Sequence, residues 1–345
     1  MIASKCAVVV VNYNNHLDTL NCLRCICQLS VLPMHVAVVD NGSDHQDLTS
    51  LYAGWKRILE DFKLPTCEMY SFRSEVTRVA RFFLLRVDVN LGFSGGNNAA
   101  IKLLLGDSAA DKCEAFWILN NDTLPSRYAL DELCQRLSSS LGGICGSTLV
   151  YAAGPHYVQT AGGAKFSPLT GATSFICAGE NISAIQRISS KSVERAICYM
   201  VAASMLVDRK VFLKIGLFAE EYFLYYEDTD FGIRARRAGF SLVWAPNSIV
   251  YHKEGATTKA TVDEASGKTR NLTMDLLSIR NRFYVIARYY PWCLPIAFAS
   301  LCGVFWRRLQ RGQGNRIVLL FRAALNGATA KESEMLAQAE QSKYF

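Results

Sequence analysis

The first 279 residues carry no excess of either charge. They hold 27 basic and 27 acidic side chains, and the net +7 arises from ten Lys/Arg and three Glu between 280 and 345. This balance argues against a nucleic-acid groove through the main body and for one basic element near the carboxyl end. A secretory signal is not expected either, because the apolar run at 6–11 is short and passes straight into the polar "NYNN". The cluster Cys22, Cys25, Cys27 lacks a second pair at metal-site spacing, so core-facing helix residues are the default there. Cys6, Cys113, Cys145, Cys198 and Cys302 lie among apolar neighbours, and the twelve cysteines are read as free thiols of a cytoplasmic protein. Nor is there a GxGxxG. Gly92, Gly95 and Gly96 miss that spacing and follow the third predicted strand, which disfavours an NAD-binding reading.

What the chain does have is 345 residues, half of them apolar, enough for one large domain with an appendage. Buried strands are predicted in "CAVVVVNYN", "HVAVVDNGS", "RFFLLRVDVN" and "AFWILNNDTLP", with helices over 15–28 and 45–62 and another in "AAIKLLLG" after the turn "LGFSGGNN". Strand, polar turn and helix in repetition predict an α/β domain on a mainly parallel sheet. Further on, "ICYMVAASMLVD" reads as one strand, 209–216 as a short helix, and "SLVWAP" as a strand ahead of "IVYHKEG".

In parallel sheets ligands bind at the carboxyl ends of the strands. Here those ends carry Asn12-Tyr13-Asn14, Asp40-Asn41, the Asn90–Asn98 segment and Asn120-Asn121-Asp122, all polar. The glycine segment serves equally as a ligand loop or as a plain turn. Asp122 is the sole acid of "LNND" and His252 ends another apolar strand. An Asp oxygen with a His nitrogen would suit an octahedral Mg2+ or Mn2+ that arrives with a substrate phosphate.

The densest acidic stretch is "LYYEDTDFGIRARRAGF" at 224–240. A helix starting at Asp228 or Thr229 puts Phe231, Ala235 and Ala238 on one apolar stripe and pairs Asp230 with Arg234 at i+4. Gly239 would end it. Glu227 and Asp228 remain unexplained by the helix. They stand at its amino end behind "YFLYY", where the helix dipole favours ionised carboxylates, and a carboxylate so held is a candidate general base.

Together "VVVVNYN", "VVDNGS", "NLGFSGGNN", "WILNNDTLP", "FLYYEDTDFGIRARRAG" and "VYHKEG" resemble, in order and approximate spacing across residues 6–258, the family 2 glycosyltransferases, in the branch that includes bacterial rhamnosyltransferases. The resemblance implies a GT-A fold and inverting transfer from a nucleoside-diphosphate sugar donor. By position it assigns Tyr13 and Asp40 to the base, and Asn14 with the loop carrying Asn90, Gly92 and Asn97 to ribose and donor. Asp122 matches the last residue of the DxD metal motif, with Asn120 and Asn121 in place of its first two. His252 matches a further metal ligand, and Asp228 the general base, with Glu227 beside it. The missing first acid weakens the metal inference, and residues 45–80 match no motif. The absence of a QxxRW-type block favours single additions over processive ones.

The expected division is a catalytic domain over 1–265, its donor half about 1–125 and acceptor half about 126–265, followed by a helical, basic region over 266–345. That region contains "YYPWCLPIAFASLCGVFW" at 289–306, 18 residues without a charge and flanked by arginines. Its length is borderline for a span and Pro291 and Pro295 shorten any helix. A segment lying in an anionic membrane interface is favoured over a span, a re-entrant hairpin or a helix buried in an oligomer. The expected acceptor is a glycan or lipid-linked saccharide in cell-surface polysaccharide synthesis, at the inner face of the plasma membrane. The branch leans towards dTDP-rhamnose. A UDP-sugar hexosyl or galactofuranosyl transferase, a nucleotidyltransferase and a non-catalytic nucleotide- or glycan-binding scaffold stand as alternatives.

Overall fold

The computed structural model describes residues 2–72, 79–106, 113–140, 142–154, 156–185, 187–253 and 272–329. The predicted polar linker beyond about residue 260, the boundary at 265 and most of "KEG" lie outside them. Strands β1 (Cys6–Asn12), β2 (His35–Asn41), β3 (Glu68–Ser71), β4 (Phe82–Val87), β5 (Ala115–Asn120) and β6 (Thr123–Pro125) come from the first part of the chain. The second part supplies β7 (Gly143–Tyr151), β8 (Val158–Ala161), β9 (Gly163–Phe166), β10 (Thr173–Phe175), β11 (Tyr199–Met200), β12 (Ser204–Asp208) and β13 (Ser241–His252). The helices used below are α1 (His16–Cys27), α2 (His45–Asp61), α3 (Gly92–Leu105), α4 (Ala129–Ser138), α5 (Arg209–Ile215), α6 (Glu227–Arg237), α7 (Leu272–Tyr289), α8 (Leu294–Gln310) and α9 (Ile317–Thr329).

Ten strands form one mixed sheet in the order β3-β4-β2-β1-β5-β12-β7-β13-β6, with β8 on β7. Pairs β3/β4, β4/β2, β2/β1, β1/β5 and β7/β13 are parallel, whereas β12 runs antiparallel to both its neighbours. A three-stranded sheet, β10-β9-β11, stands apart. The period-2 alternation of a strand explains the layering. Val8, Val10, Val36 and Val38 face a core shared with Leu23, Leu51, Trp55 and Leu133 of α1, α2 and α4. Ala7, Val9, Ala37 and Val39 face the opposite core, with Ile101, Phe212 and Phe231 of α3, α5 and α6. A third core joins Phe283, Tyr284, Ile286 and Tyr289 of α7 to Phe166, Tyr199 and Tyr222.

Four local expectations are corrected. The glycine segment is not a turn before a helix but the first turns of α3 itself, beginning at Gly92. "ICYMVAASMLVD" is broken at 201–203 between β11 and β12, and "SLVWAP" continues through a register shift between Ala245 and Ile249 into the single strand β13. In α6, which begins one residue early at Glu227, Phe231 and Ala235 are buried as expected and Ile233 with them, but Ala238 is exposed because the helix ends at Arg237 and leaves it as the C-cap.

Candidate active site

Parallel register brings Asn12 level with Asp40, and Val11 level with Asn120, so four strand ends open on one edge of the sheet. Buried Asn12 is its hub. Its Nδ2 donates to Asp40 Oδ1 (3.1 Å), Ser43 Oγ (3.1 Å) and Asp47 Oδ2 (2.8 Å), and its Oδ1 accepts from Thr19 Oγ1 (2.7 Å). Thr19 in turn accepts from Asn121 Nδ2 at 3.0 Å. Burial pushes the Asp40 carboxyl up, against hydrogen bonds from Ser43 and Asn12. Burial acts the same way on Asp47, but bonds from Asn12 and His16 outweigh it and hold that carboxyl below its ordinary range.

Tyr13 is partly buried beside this hub, and Asn14 takes a left-handed φ of 47° so that its Oδ1 caps the Asp44 N–H at 2.9 Å. Asn90 Oδ1 accepts from the Gly92 N–H and from Asn41 Nδ2, both at 2.9 Å, and Asn97 Nδ2 donates to the Phe93 carbonyl at 2.9 Å. These two asparagines therefore shape the strand-to-helix turn. Gly92, with φ +70°, permits the closest approach, since a Cβ there would stand 2.4 Å from the Phe223 carbonyl oxygen.

Asp122 and His252, 130 residues apart in the chain, meet at the pairing of β6 with β13. His252 Nε2 lies 3.1 Å from Asp122 Oδ1, both buried, and His252 Nδ1 lies 2.8 Å from Gln159 Oε1. Gln159 Oε1 can only accept, so it fixes Nδ1 as the donor and turns Nε2 towards the carboxylate, the arrangement of a metal-ligating His held by an outer partner. At the position of the missing first acid, Asn120 Oδ1 is buried without a hydrogen-bond partner. The donor set of a carboxylate, an imidazole and a free amide oxygen fits a divalent ion completed by phosphate oxygens. Among the described residues no group of three His, Cys, Asp or Glu could hold a metal by itself.

Across the edge stands the amino end of α6. Glu227 is buried and its Oε2 has no hydrogen-bond partner. Burial, then the charge of Asp228, pushes its carboxyl well above the ordinary value. Asp228 is half-buried, and burial pushes it up to about 6 despite N–H donors from Thr229 and Ala202. The expectation of carboxylates held ionised by the helix dipole is thus corrected. The dipole contributes about 0.3–1 kcal/mol near a surface, and loss of hydration outweighs it here. The break in the apolar run at 201–203 explains the Ala202 donor. Asp230, by contrast, is fully buried in a structural cluster, bonded to Arg234 Nε (2.7 Å) and Tyr289 Oη (2.5 Å). The sequence reading missed Asn12, Thr19, Asp47 and Gln159. Only Asn12 had a signal, as the first residue of a polar strand end.

A mixed, mainly parallel sheet flanked by helices, with polar strand ends on one edge, is the GT-A fold. Two solved structures share the fold: GalNAc-T7 with UDP, GalNAc and Mn2+ (TM-score 0.54, 13% identity, 82% of this chain and 47% of that one), and the mannosyltransferase PcManGT from Pyrobaculum calidifontis with GDP-Man and Mn2+ (TM-score 0.51, 14% identity, 95% and 88%). The family model "Glycosyltransferase like family 2" matches residues 4–269, and the chain belongs to that family. An N-acetylglucosaminyl-diphospho-decaprenol L-rhamnosyltransferase of Mycobacterium tuberculosis is 37% identical over 65 residues, 19% of this chain. The alignment thus spans about a fifth of that relative's length (21%).

Proposed function

We propose that the protein moves a sugar, with inversion, from a nucleoside-diphosphate donor to a hydroxyl of a glycan or lipid-linked saccharide. The observation that carries this reading is Asp228. It is a carboxyl raised to about 6, at a helix start whose leading loop touches the donor-side turn through the Phe93 N–H and the Phe223 carbonyl (2.7 Å). An acceptor hydroxyl is a poor nucleophile near neutral pH, so its O–H bond must break as the new bond to the anomeric carbon forms. The proton passes to the Asp228 carboxylate, and the bond from the anomeric carbon to the diphosphate breaks with its electron pair leaving on phosphate. Asp228, titrating near neutrality, is ionised often enough to accept that proton. Glu227, more deeply buried, is pushed further towards its neutral form by burial and by the charge of Asp228.

Asp122, His252 and Asn120 Oδ1 would hold Mg2+ or Mn2+, which when bound offsets the charge gathering on the leaving diphosphate. Tyr13, Asn14 and Asp40 would receive the nucleoside, with Asn90, Gly92, Asn97 and Asn121 shaping the wall beside it. The rhamnosyl relative supports rhamnose as the sugar moved and a polyprenyl-diphosphate saccharide as acceptor, and dTDP-rhamnose is the donor we expect.

Such an acceptor would keep the enzyme at the cytoplasmic face of a membrane. Support comes from Trp292 (72% exposed) in the turn before α8 and from the outer faces of α8 and α9, where Ile296, Trp306 (62%), Leu309, Val318 and Phe321 lie open. Arg307, Arg311 and Arg322 beside them form no ion pair among the described residues. Among those residues no helix is long and apolar enough to cross a membrane.

The direct test is nucleoside-diphosphate release from a panel of sugar nucleotides with Mn2+ or Mg2+, then with EDTA. Release from one donor, lost with EDTA and with Asp228→Asn, is the expected result. Pyrophosphate as product would overturn the reading in favour of a nucleotidyltransferase.

A further inference from the structure

The loop that delivers Asp228 has a backbone few sequences tolerate. Phe223, Tyr225 and Tyr226 have φ of 59°, 73° and 69°, three left-handed non-glycine residues out of four, immediately before α6. Bulky side chains avoid this region, and such backbone persists only where the surroundings over-determine it. Its carbonyls show how. Arg280 Nη2 donates to Glu221 (2.8 Å), and Asn281 Nδ2 lies 2.8, 2.8 and 2.9 Å from the carbonyl oxygens of Tyr222, Leu224 and Tyr225. The Phe93 N–H takes Phe223 (2.7 Å) and the Asp230 N–H takes Tyr226 (2.9 Å). Every carbonyl from 221 to 226 therefore has a donor, and one amide group stands within reach of three of the six, of which Tyr222 also accepts from the Leu224 N–H at 2.6 Å.

Asn281 is fully buried in the middle of α7, its Oδ1 without a partner. A polar side chain placed there, with half its capacity left unused, is costly unless its donors matter. Its neighbours in the chain reinforce the grip. Arg282 donates to the Thr170 carbonyl, and Tyr226 Oη donates to the Gly171 carbonyl at 2.9 Å, so the loop is fixed from two sides.

We propose that Asn281 is a positioning residue for the reaction, holding the 223–226 loop in its left-handed course and thereby aiming Asp228 at the acceptor. The inference rests on the reading of Asp228 as base. An asparagine does this where a hydroxyl would not, because its planar NH2 carries two N–H donors that can be shared among the carbonyls a tight left-handed loop turns inward together.

The experiment compares Asn281→Ser, which retains one donor, with wild type and with Asp228→Asn. Turnover is read as nucleoside-diphosphate release from dTDP-rhamnose and UDP-sugars, water serving as acceptor where no other is supplied. Binding of dTDP and UDP with Mn2+ is read by calorimetry. Asn281→Ser should lower kcat by about 100-fold, as expected when a reacting group is displaced by an ångström, with nucleotide affinity within ~3-fold of wild type on that same account. Amide exchange over 220–230 should rise at least ~10-fold, while β1 and β2 stay protected. Unchanged kcat and loop exchange in a folded Asn281→Ser would overturn the proposal, as would an equal loss of kcat and nucleotide affinity. Full turnover in Asp228→Asn would instead sink the base assignment, whatever Asn281 does. Should Asn281→Ser fail to fold, wild-type exchange decides. Loop and α7 amides protected as one unit support the clamp, and a loop exchanging freely beside a protected α7 refutes it.

Discussion

At the scale of single residues, burial sets the chemistry. Asp228→Asn should reduce kcat by at least ~100-fold, the scale of general-base catalysis, with little change in donor KM. Steady-state rates over a donor series check this. The pH dependence has two opposite signs. Wild-type kcat should rise as pH climbs through about 6, where Asp228 ionises. Stability should move the other way. A carboxyl raised from 3.8 to about 6 binds its proton more tightly folded than unfolded. Its stabilising contribution is whole below the lower value and lost as pH rises through the upper one. The melting temperature of Asp228→Asn relative to wild type should accordingly increase across that window. A further residue-scale expectation concerns Gln159. If it fixes the His252 ring, Gln159→Ala should weaken Mn2+ by about 10–100-fold, the usual effect of losing an outer partner. Titrating activity with Mn2+ measures it.

At the scale of elements, α3 meets the loop ahead of α6 at close quarters. Gly92→Ala would force a Cβ within 2.4 Å of the Phe223 carbonyl oxygen and keep φ at +70°. A destabilisation of at least ~1–3 kcal/mol is expected from the left-handed backbone alone, read as a lower urea midpoint. The elements also show what a sequence can disclose. Apolar runs ending in Asn, Asp and Gly made β1, β2, β4 and β5 and their binding edge legible, because burial on both faces of a parallel strand leaves an unmistakable pattern. The distant partners Asp122 and His252 were legible through the resemblance, and the structure brings them within 3.1 Å. The start of α3 was not, since helical glycines look like a turn when only propensity is weighed. Nor was the break at 201–203, whose reason is tertiary: it aims an amide at Asp228. Asn281, in the middle of a helix, carried no local sign of its three acceptors. The raised carboxylates were also hidden, for the sequence records the helix start but not the depth of its burial.

At the scale of the whole molecule, the charge asymmetry and the open apolar faces of α8 and α9 fall in the same region. We expect the protein to sediment with vesicles containing anionic phosphatidylglycerol and not with neutral phosphatidylcholine alone. Trp292→Ser combined with Trp306→Ser should weaken that binding by about 10-fold or more, given the apolar area the two rings would bury. Salt should weaken it further. Binding equal to wild type in the double variant would remove the membrane from the account of these helices.

The family match ends at residue 269, three residues short of α7. Yet the donors to the carbonyls of Glu221, Tyr222, Leu224 and Tyr225, and the Tyr289 hydroxyl on Asp230, all come from α7. A chain cut where the family match stops would retain every motif by which the family is recognised and lose the splint on the loop ahead of α6. Heredity and mechanism draw the edge of this enzyme at different places.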